Sequence, residues 1–195
     1  MYPLILASGS QWRKKLLQDI GLEVDAVTAN INEADIVGDT PIATAKLRAK
    51  AKAQDVFVRY PNCVIIGADQ VCHLDGKTIG KPESNFEWFQ RLQSFRGKGH
   101  YLTTAVTICS SDKIIECQET TTVYFRDDID DDTISKYISI GEARGCAGGY
   151  MMEHKGAWLI KKIEGDWQNV IGLPIFALTE HLRSLGFGYF GENNE

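Results

Sequence analysis

The segment from Leu6 to Arg13 is the first in which residue types and spacing are suited to chemistry. A turn of small residues there joins an apolar stretch to the start of a helix, with hydroxyl groups at Ser8 and Ser10. Backbone N–H groups in such a turn and the positive end of the helix attract anions, and the Arg13 guanidinium matches phosphate oxygens. The same pattern is typical of an ordinary helix cap, so it indicates either a phosphate site or a cap.

An aspartate within an apolar strand is the second signal. Asp69 lies in the sequence IIGADQV. A carboxylate buried among such residues costs free energy unless it is paired or coordinated. Asp69 is therefore either a paired structural aspartate or a metal ligand or general base at a cleft.

Other candidate residues carry weaker signals. Lys81 stands between a glycine and a proline, whose ring restricts the local backbone and can aim the lysine. Lys52 belongs to a helical segment with several basic neighbours, a pattern that is also typical of a solvated basic face. Glu33 has no distinguishing pattern of its own, and the Gly148-Gly149 pair indicates either a close backbone approach or a simple turn.

The bulk composition limits the class of protein. The chain has 195 residues, a net charge of −5 and a pI of about 5.4. Such an acidic chain is not a general nucleic-acid binder, although a few cations can converge on one small anion. No apolar run is long enough to cross a bilayer and the first residues do not resemble a secretion signal, so we expect a cytoplasmic protein without nucleic-acid or membrane partners. The five cysteines lack zinc or redox spacing, which indicates reduced thiols.

Alternating strands and helices must position these residues. Apolar runs predict strands at 3–7, 23–29, 63–74, 101–109, 113–125 and 157–163, and caps predict helices that begin near Ser10, Thr40, Ser84, Asp131 and Pro174. Turn residues at Asp75-Gly76 and at 110–112 predict two hairpins, so the sheet should be mixed. We therefore predict a single α/β domain over residues 1–195, with two lobes and a cleft between them. The last residues, about eight of them, should form a flexible tail.

In order and spacing, these motifs together resemble the Maf family of nucleotide pyrophosphatases over nearly the whole chain, from Leu4 to about Leu185. The resemblance is carried by LASGSQWRKKLL, by the glutamate after Ile31-Asn32, by IIGADQV with LDGKTIGKP, and by YISIGEARGCAGGY and IEGDWQNVIGLPIFAL. It implies a Maf/ITPase-like fold, in which an elongated mixed central sheet is flanked by helices. It also implies hydrolysis of a nucleoside triphosphate between the α- and β-phosphates with a divalent metal ion, Mg²⁺ or Mn²⁺.

The resemblance also assigns roles to individual residues. Asp69 matches the position of the proton acceptor. Our own hypothesis is that the two carboxylates of the set, Asp69 and Glu33, hold the metal ion. Catalytic or phosphate contacts are expected from Glu33, Ser8, Ser10, Arg13, Lys52 and Lys81. The cationic members of this set would neutralise charge on the phosphates and on the leaving pyrophosphate. A homodimer is plausible by the same resemblance.

Three positions distinguish the branches of this family by substrate. The branch that acts on 7-methyl-GTP carries tryptophan, glutamine and glutamate there, and this chain has Trp12, Gln70 and Glu153. A tryptophan ring attracts the positively charged methylated guanine, and a carboxylate accepts hydrogen bonds from the N–H edge of that base. The resemblance therefore predicts hydrolysis of 7-methyl-GTP, as house-cleaning of modified nucleotides.

Two alternatives stay open. Gln11 and Lys14 depart from the usual family residues, and Gly149-Tyr150 resembles the branch that acts on dTTP and UTP. A pyrophosphatase for those pyrimidine nucleotides is the first alternative. The second is a nucleotide-binding regulator of cell division and septum formation without useful turnover, although a pure binder needs no buried base.

Overall fold

The computed structural model of the chain describes residues 3–189, in which seven strands form one mixed sheet. The strands are β1 (Leu4–Leu6), β2 (Asp25–Ala26), β3 (Val64–Leu74), β4 (Lys77–Ile79), β5 (Gly99–Cys109), β6 (Ile114–Phe125) and β7 (Ile160–Glu164). The helices are α1 (Gln11–Asp19), α2 (Pro41–Arg59), α3 (Asn85–Phe95), α4 (Asp131–Ile140), α5 (Trp167–Ile171) and α6 (Ile175–Arg183). The predicted flexible tail lies outside the described residues, apart from its first two positions.

The sheet has the strand order β2-β1-β3-β5-β6-β7, and β4 pairs with β3 beside this path. β1 runs parallel to β2 and β3, whereas the other pairings are antiparallel. Both predicted hairpins are present, and Asp75 and Gly76 have the positive φ angles, 51° and 75°, that a tight hairpin turn requires. The predicted mixed α/β class is confirmed.

Side-chain caps fix where the helices begin. The hydroxyls of Ser10, Thr40 and Ser84 each accept a hydrogen bond from a backbone N–H three residues later, at 3.4, 3.0 and 3.1 Å. These bonds satisfy donors that the first turn of a helix leaves without a partner. They also place α1 directly after the small-residue turn that follows β1.

Three elements differ from the sequence-based prediction. The strand expected at 23–29 shrinks to the two residues of β2, because its partner β1 is itself only three residues long. The strand expected from residue 157 begins at Ile160, after a 3₁₀ helix at Lys155–Leu159. A Cβ added to Gly156 would stand 2.5 Å from the carbonyl oxygen of Met151. The chain is therefore tightly turned here, and the strand begins only after this turn. α5 was not predicted, because five residues are too few to show helical periodicity.

The two largest hydrophobic clusters among the described residues lie along the sheet, one in each lobe. The first contains Leu17 of α1, Ile66 of β3 and Leu178 of α6, and the second contains Trp88 of α3 and Phe125 of β6. β3 contributes Val64, Ile66 and Ala68 to the first core and Cys72 to the second. Asp69 and Gln70 therefore lie where this strand passes from one lobe to the other. No helix within residues 3–189 combines the length and apolar character that a membrane span requires.

α2 packs unusually close to β3 at Gly67. A Cβ added to Gly67 would stand 2.3 Å from the Ala49 carbonyl oxygen and 2.6 Å from the Ala53 nitrogen. These are backbone atoms in the middle of α2, so they cannot rotate away as a side chain would. The absence of a side chain at position 67 therefore sets the distance between the helix and the strand.

We expect Gly67→Ala to lower the free energy of unfolding by about 2–3 kcal/mol, because the new methyl group must push α2 off the sheet. Urea titration followed by circular dichroism would measure the change. Gly145→Ala is the matched control, since its Cβ would meet no atom within 4 Å. An unfolding midpoint of Gly67→Ala as high as that of the control would contradict the close packing.

Candidate active site

A cleft of about 810 Å³ opens between the two lobes. Its walls include all ten of the site residues predicted from the sequence, which come from six separate segments of the chain. They are Ser8, Ser10, Trp12, Arg13, Glu33, Lys52, Asp69, Gln70, Lys81 and Glu153. The structure thus brings together residues up to 145 positions apart in the sequence, from position 8 to position 153.

Lys52 bridges the two carboxylates of the cleft. Its Nζ lies 2.8 Å from Asp69 Oδ1 and 3.1 Å from Glu33 Oε1, and only 9% of the lysine side chain is exposed. The interpretation of Lys52 as part of a solvated basic face is therefore wrong. The close contact of α2 with β3 is the cause, since it puts the buried face of the helix directly over the strand that carries Asp69.

Asp69 is paired, and it also has a free oxygen. Oδ1 accepts from Lys52, whereas Oδ2 is buried and has no hydrogen-bond partner among residues 3–189. A buried carboxylate oxygen without a partner is costly unless a ligand, a water or a metal ion satisfies it. The structure thus shows the pairing of Asp69 through Oδ1. The role of metal ligand or general base stays a prediction, for which Oδ2 is the available oxygen.

The two carboxylates of the cleft, Asp69 and Glu33, could supply part of the ligand set of a divalent metal ion. Mg²⁺ binds proteins through one or two carboxylates and takes its other ligands from water and substrate phosphates. The unpartnered Asp69 Oδ2 and the half-exposed Glu33 suit that arrangement. No group of three or more His, Cys, Asp or Glu side chains within residues 3–189 is able to hold a metal by itself. The phosphates would therefore have to complete the coordination.

Arg13 is held by backbone carbonyls. Its Nε donates to Gly172 O at 2.9 Å, and its Nη1 donates to Ala68 O at 3.1 Å. Burial lowers the pKa of the guanidinium, and the negative charges of Asp69 and Glu33 oppose that shift. Arg13 thus links α1 to β3 and to the turn after α5, so only part of its guanidinium is free to contact phosphate.

The structure fixes the orientation of Gln70, which the sequence left open. Its Nε2 donates to Asn169 O at 2.6 Å and to Thr104 Oγ1 at 3.1 Å. A carbonyl oxygen can only accept, so the NH₂ end of the amide must face Asn169. The Oε1 end is therefore the one left for a ligand, and Gln70 presents a hydrogen-bond acceptor to the cleft.

Trp12 and Glu153 mark a different part of the cleft wall. Trp12 is 38% exposed, and its ring makes a T-shaped contact with the His154 ring, with centroids 5.3 Å apart. Glu153 is exposed and precedes His154 in the sequence. Both residues line the cleft and are exposed, so a ligand in the cleft can reach them.

Arg48, one of the basic neighbours of Lys52 in the sequence, is a cleft residue that the sequence analysis did not single out. It lines the cleft, its Nε donates to Ile36 O at 3.0 Å, and it makes no ion pair within residues 3–189. The spacing of four residues between Arg48 and Lys52 places both on one face of α2, and that signal was present in the sequence. Cys146 also lines the cleft, but burial raises the pKa of its thiol, which disfavours the reactive thiolate.

We expect Lys52→Met to lower the free energy of unfolding by about 3 kcal/mol, because it removes the cation that pairs directly with the buried Asp69 carboxylate. Lys50→Met is the matched control on the same helix. It removes an exposed pair with Glu116 at 3.0 Å and should cost less than about 1 kcal/mol. Equal losses in urea titrations of the two variants would show that Lys52 and Asp69 are not a buried pair.

Two solved structures have a similar fold but low sequence identity to this chain. The Ham1 protein of Staphylococcus aureus matches with a TM-score of 0.53 at 15% identity, over 94% of this chain and 99% of that one. A HAM1 protein from Coxiella burnetii gives a TM-score of 0.53 at 14% identity, over 94% of this chain and 100% of that one. At such identities the likeness supports the fold alone, and it agrees with the fold predicted from the sequence.

Sequence relatives are much closer. A dTTP/UTP pyrophosphatase of Pyrococcus furiosus is 43% identical over 180 residues, which cover 92% of this chain and 94% of that protein. A nucleoside triphosphate pyrophosphatase of Synechocystis is 35% identical over 184 residues, or 94% of each chain. The family profile described as Maf-like protein matches residues 3–185. This chain therefore belongs to the Maf family.

Proposed function

We propose that this protein hydrolyses a nucleoside triphosphate to the monophosphate and pyrophosphate. The observation that supports this most directly is the buried contact of Lys52 with Asp69 and Glu33, on the wall of a cleft that also holds three other cations. The names of the Pyrococcus and Synechocystis relatives agree with this reaction. Membership of the family and the geometry of the cleft thus support the same chemistry.

The cations of the cleft divide into two groups in this mechanism. The charge of Lys52 is shared with two carboxylates, and Arg13 is held by carbonyl groups. Arg48 and Lys81 make no ion pair within residues 3–189, so their charge is available to phosphate oxygens. They stabilise the negative charge that develops on the leaving pyrophosphate, while Ser8 and Ser10 supply neutral donors.

Asp69 is the group that accepts the proton of the attacking water. Lys52 holds the carboxylate through Oδ1 and orients it, which leaves Oδ2 free to take the proton. A Mg²⁺ or Mn²⁺ ion held by Asp69 and Glu33 would supply positive charge next to the phosphates. Because Lys52 occupies Oδ1, the metal-ligand role and the base role both fall to Oδ2, as alternatives for that one oxygen.

We expect Asp69→Asn to lower kcat about 100-fold or more, because an amide does not accept the proton of water as a carboxylate does. Pyrophosphate release with Mg²⁺ or Mn²⁺ would measure the rate. Asp112→Asn, on the hairpin turn between β5 and β6, is the control and should leave kcat unchanged. A near-normal rate for Asp69→Asn would rule out Asp69 as the base.

Two candidate substrates have support from different observations. The names of relatives such as those from Pyrococcus furiosus and Dictyoglomus thermophilum favour dTTP and UTP. The 7-methyl-GTP predicted from Trp12, Gln70 and Glu153 is the second candidate, which those names do not support. We therefore propose the pyrimidine nucleotides as first candidate and retain the methylated purine for one specific reason.

That reason is the donor and acceptor pattern of the cleft. Gln70 offers an acceptor because its NH₂ group is used by Asn169, and the Glu153 carboxylate is also an acceptor. A guanine edge presents N1–H and N2–H donors, whereas uracil and thymine present one N–H between two carbonyl acceptors. Two acceptors in the site match guanine better, and the Trp12 face favours a base that carries positive charge.

A nucleotide panel with pyrophosphate readout distinguishes the candidates. We expect the Trp12→Arg/Glu153→Gln double variant to lower kcat/KM for 7-methyl-GTP relative to UTP by about 10-fold or more, since it removes the ring face and one acceptor. The wild-type ranking of dTTP, UTP and 7-methyl-GTP then decides which is the preferred substrate. An unchanged ratio in the double variant would mean that these two side chains do not contact the base.

A further inference from the structure

The segment Gly80–Glu83, which carries Lys81, is held at both ends by one pair of side chains on α3. Arg91 Nη1 donates to the carbonyl oxygen of Gly80, at the start of the segment. Glu87 Oε2 accepts from the backbone N–H of Glu83 at 2.9 Å, at its end. The two side chains are joined to each other, with Arg91 Nη2 2.6 Å from Glu87 Oε1. We call the linked side chains of Glu87 and Arg91 the bracket, since their contacts hold the backbone on both sides of Lys81.

We propose that the Glu87–Arg91 pair positions Lys81 for the reaction. This inference rests on the proposed function, in which Lys81 contacts the phosphates. No ion pair or hydrogen bond fixes the Lys81 side chain within the described part of the chain, and the residue is exposed at the cleft. Its placement therefore depends on the backbone of the segment, and the bracket holds that backbone.

The geometry differs from that of an ordinary helix cap. In the usual capping box the third helical residue accepts from the N–H of the cap residue, which is Ser84 here. Glu87 accepts from Glu83 instead, one residue earlier, so its bond restrains the segment that enters the helix. Ser84 still caps α3 with its own hydroxyl, at 3.1 Å from the Glu87 nitrogen.

The Glu87–Arg91 pair differs from the exposed ion pairs with the same four-residue spacing because its arginine is buried. Only 8% of the Arg91 side chain is exposed, against 75% for Lys136 in the pair with Asp132 on α4. A buried guanidinium needs partners for its donors, and Arg91 finds them in a carboxylate and a carbonyl at once. The planar fork of arginine can do this, whereas the single ammonium of lysine cannot reach both in the same way.

A restrained backbone at Lys81 has a kinetic consequence. Displacement of a charge-stabilising group by about 1 Å can cost 100-fold in rate, because the group no longer faces the charge that develops. Loss of the bracket should therefore lower kcat by displacing Lys81. In a variant without a lysine at position 81, the same loss should change kcat little.

The test is a double-mutant cycle between Arg91→Gln and Lys81→Ala, measured by pyrophosphate release. We expect Arg91→Gln to lower kcat about 10-fold, with KM changed much less, and to have no further effect in the Lys81→Ala background. Arg91→Lys should fail to restore the rate. Asp132→Asn/Lys136→Gln, which removes the exposed pair on α4, is the control and should leave kcat unchanged. An equal loss of kcat from Arg91→Gln in both backgrounds would overturn the proposal.

Hydrogen exchange supplies a readout that does not depend on turnover. Glu87→Gln keeps the length of the side chain but removes its charge and weakens its contact with Arg91. We expect faster exchange of the Glu83 amide in Glu87→Gln than in the wild type, with unchanged exchange in the middle of α2. Unchanged protection at Glu83 would overturn the bracket even if the wild-type enzyme is active. Faster exchange in a protein that releases no pyrophosphate would instead locate the failure in the proposed function.

Discussion

The contact between Lys52 and Asp69 is the interaction on which the cleft depends. It exists because α2 and β3 approach each other closely enough at Gly67 that a single Cβ would collide with the helix backbone. At that separation a lysine side chain from the helix reaches a carboxylate on the strand without entering water. The same lysine also reaches Glu33, so one packing distance brings three charged groups from separate segments together. A glycine with no chemistry of its own thus determines the geometry of the charged centre.

Some cations of the cleft are paired within the protein, and others have no carboxylate partner among the described residues. Lys52 is matched by two carboxylates and Arg13 by backbone carbonyls, which stabilises these groups inside the protein. Arg48 and Lys81 carry their charge at the cleft without a carboxylate partner in the described residues. A polyphosphate would therefore meet two unmatched cations in front of a rigid paired centre. This division follows from elementary electrostatics, since buried charges must be paired whereas partly exposed charges need not be.

The sequence predicted much of this site, and its failures have identifiable causes. The small-residue turn, the aspartate in an apolar strand and the two hairpins follow from local patterns, and the structure contains each of them. Lys52 could not be separated from its basic neighbours by pattern alone, because its burial results from the contact at Gly67 between segments far apart in the chain. The same limit applies to Arg91, whose buried environment depends on α3 packing and on the segment before it. The 3₁₀ helix at Lys155–Leu159 was missed because Gly156 packs against the backbone of Met151, just before it in the chain, and an apolar run does not reveal such a close local turn.

The short helix α5, which the sequence did not predict, fixes which end of the Gln70 amide is turned away from Asn169. Asn169 of α5 is fully buried and donates from its Nδ2 to Leu102 O and to Thr121 Oγ1, both at 3.0 Å, so α5 is attached to β5 and β6. The backbone carbonyl of the same residue accepts from Gln70 and thereby turns the acceptor end of that amide towards the ligand. The orientation of Gln70 is thus built into the lobe before any nucleotide binds, and it costs no reorganisation on binding. If Gln70 contacts the base, as proposed, base selection at this position depends on Asn169, which need not itself contact the base. The identity of Gln70 alone is then not enough to infer the substrate from the sequence.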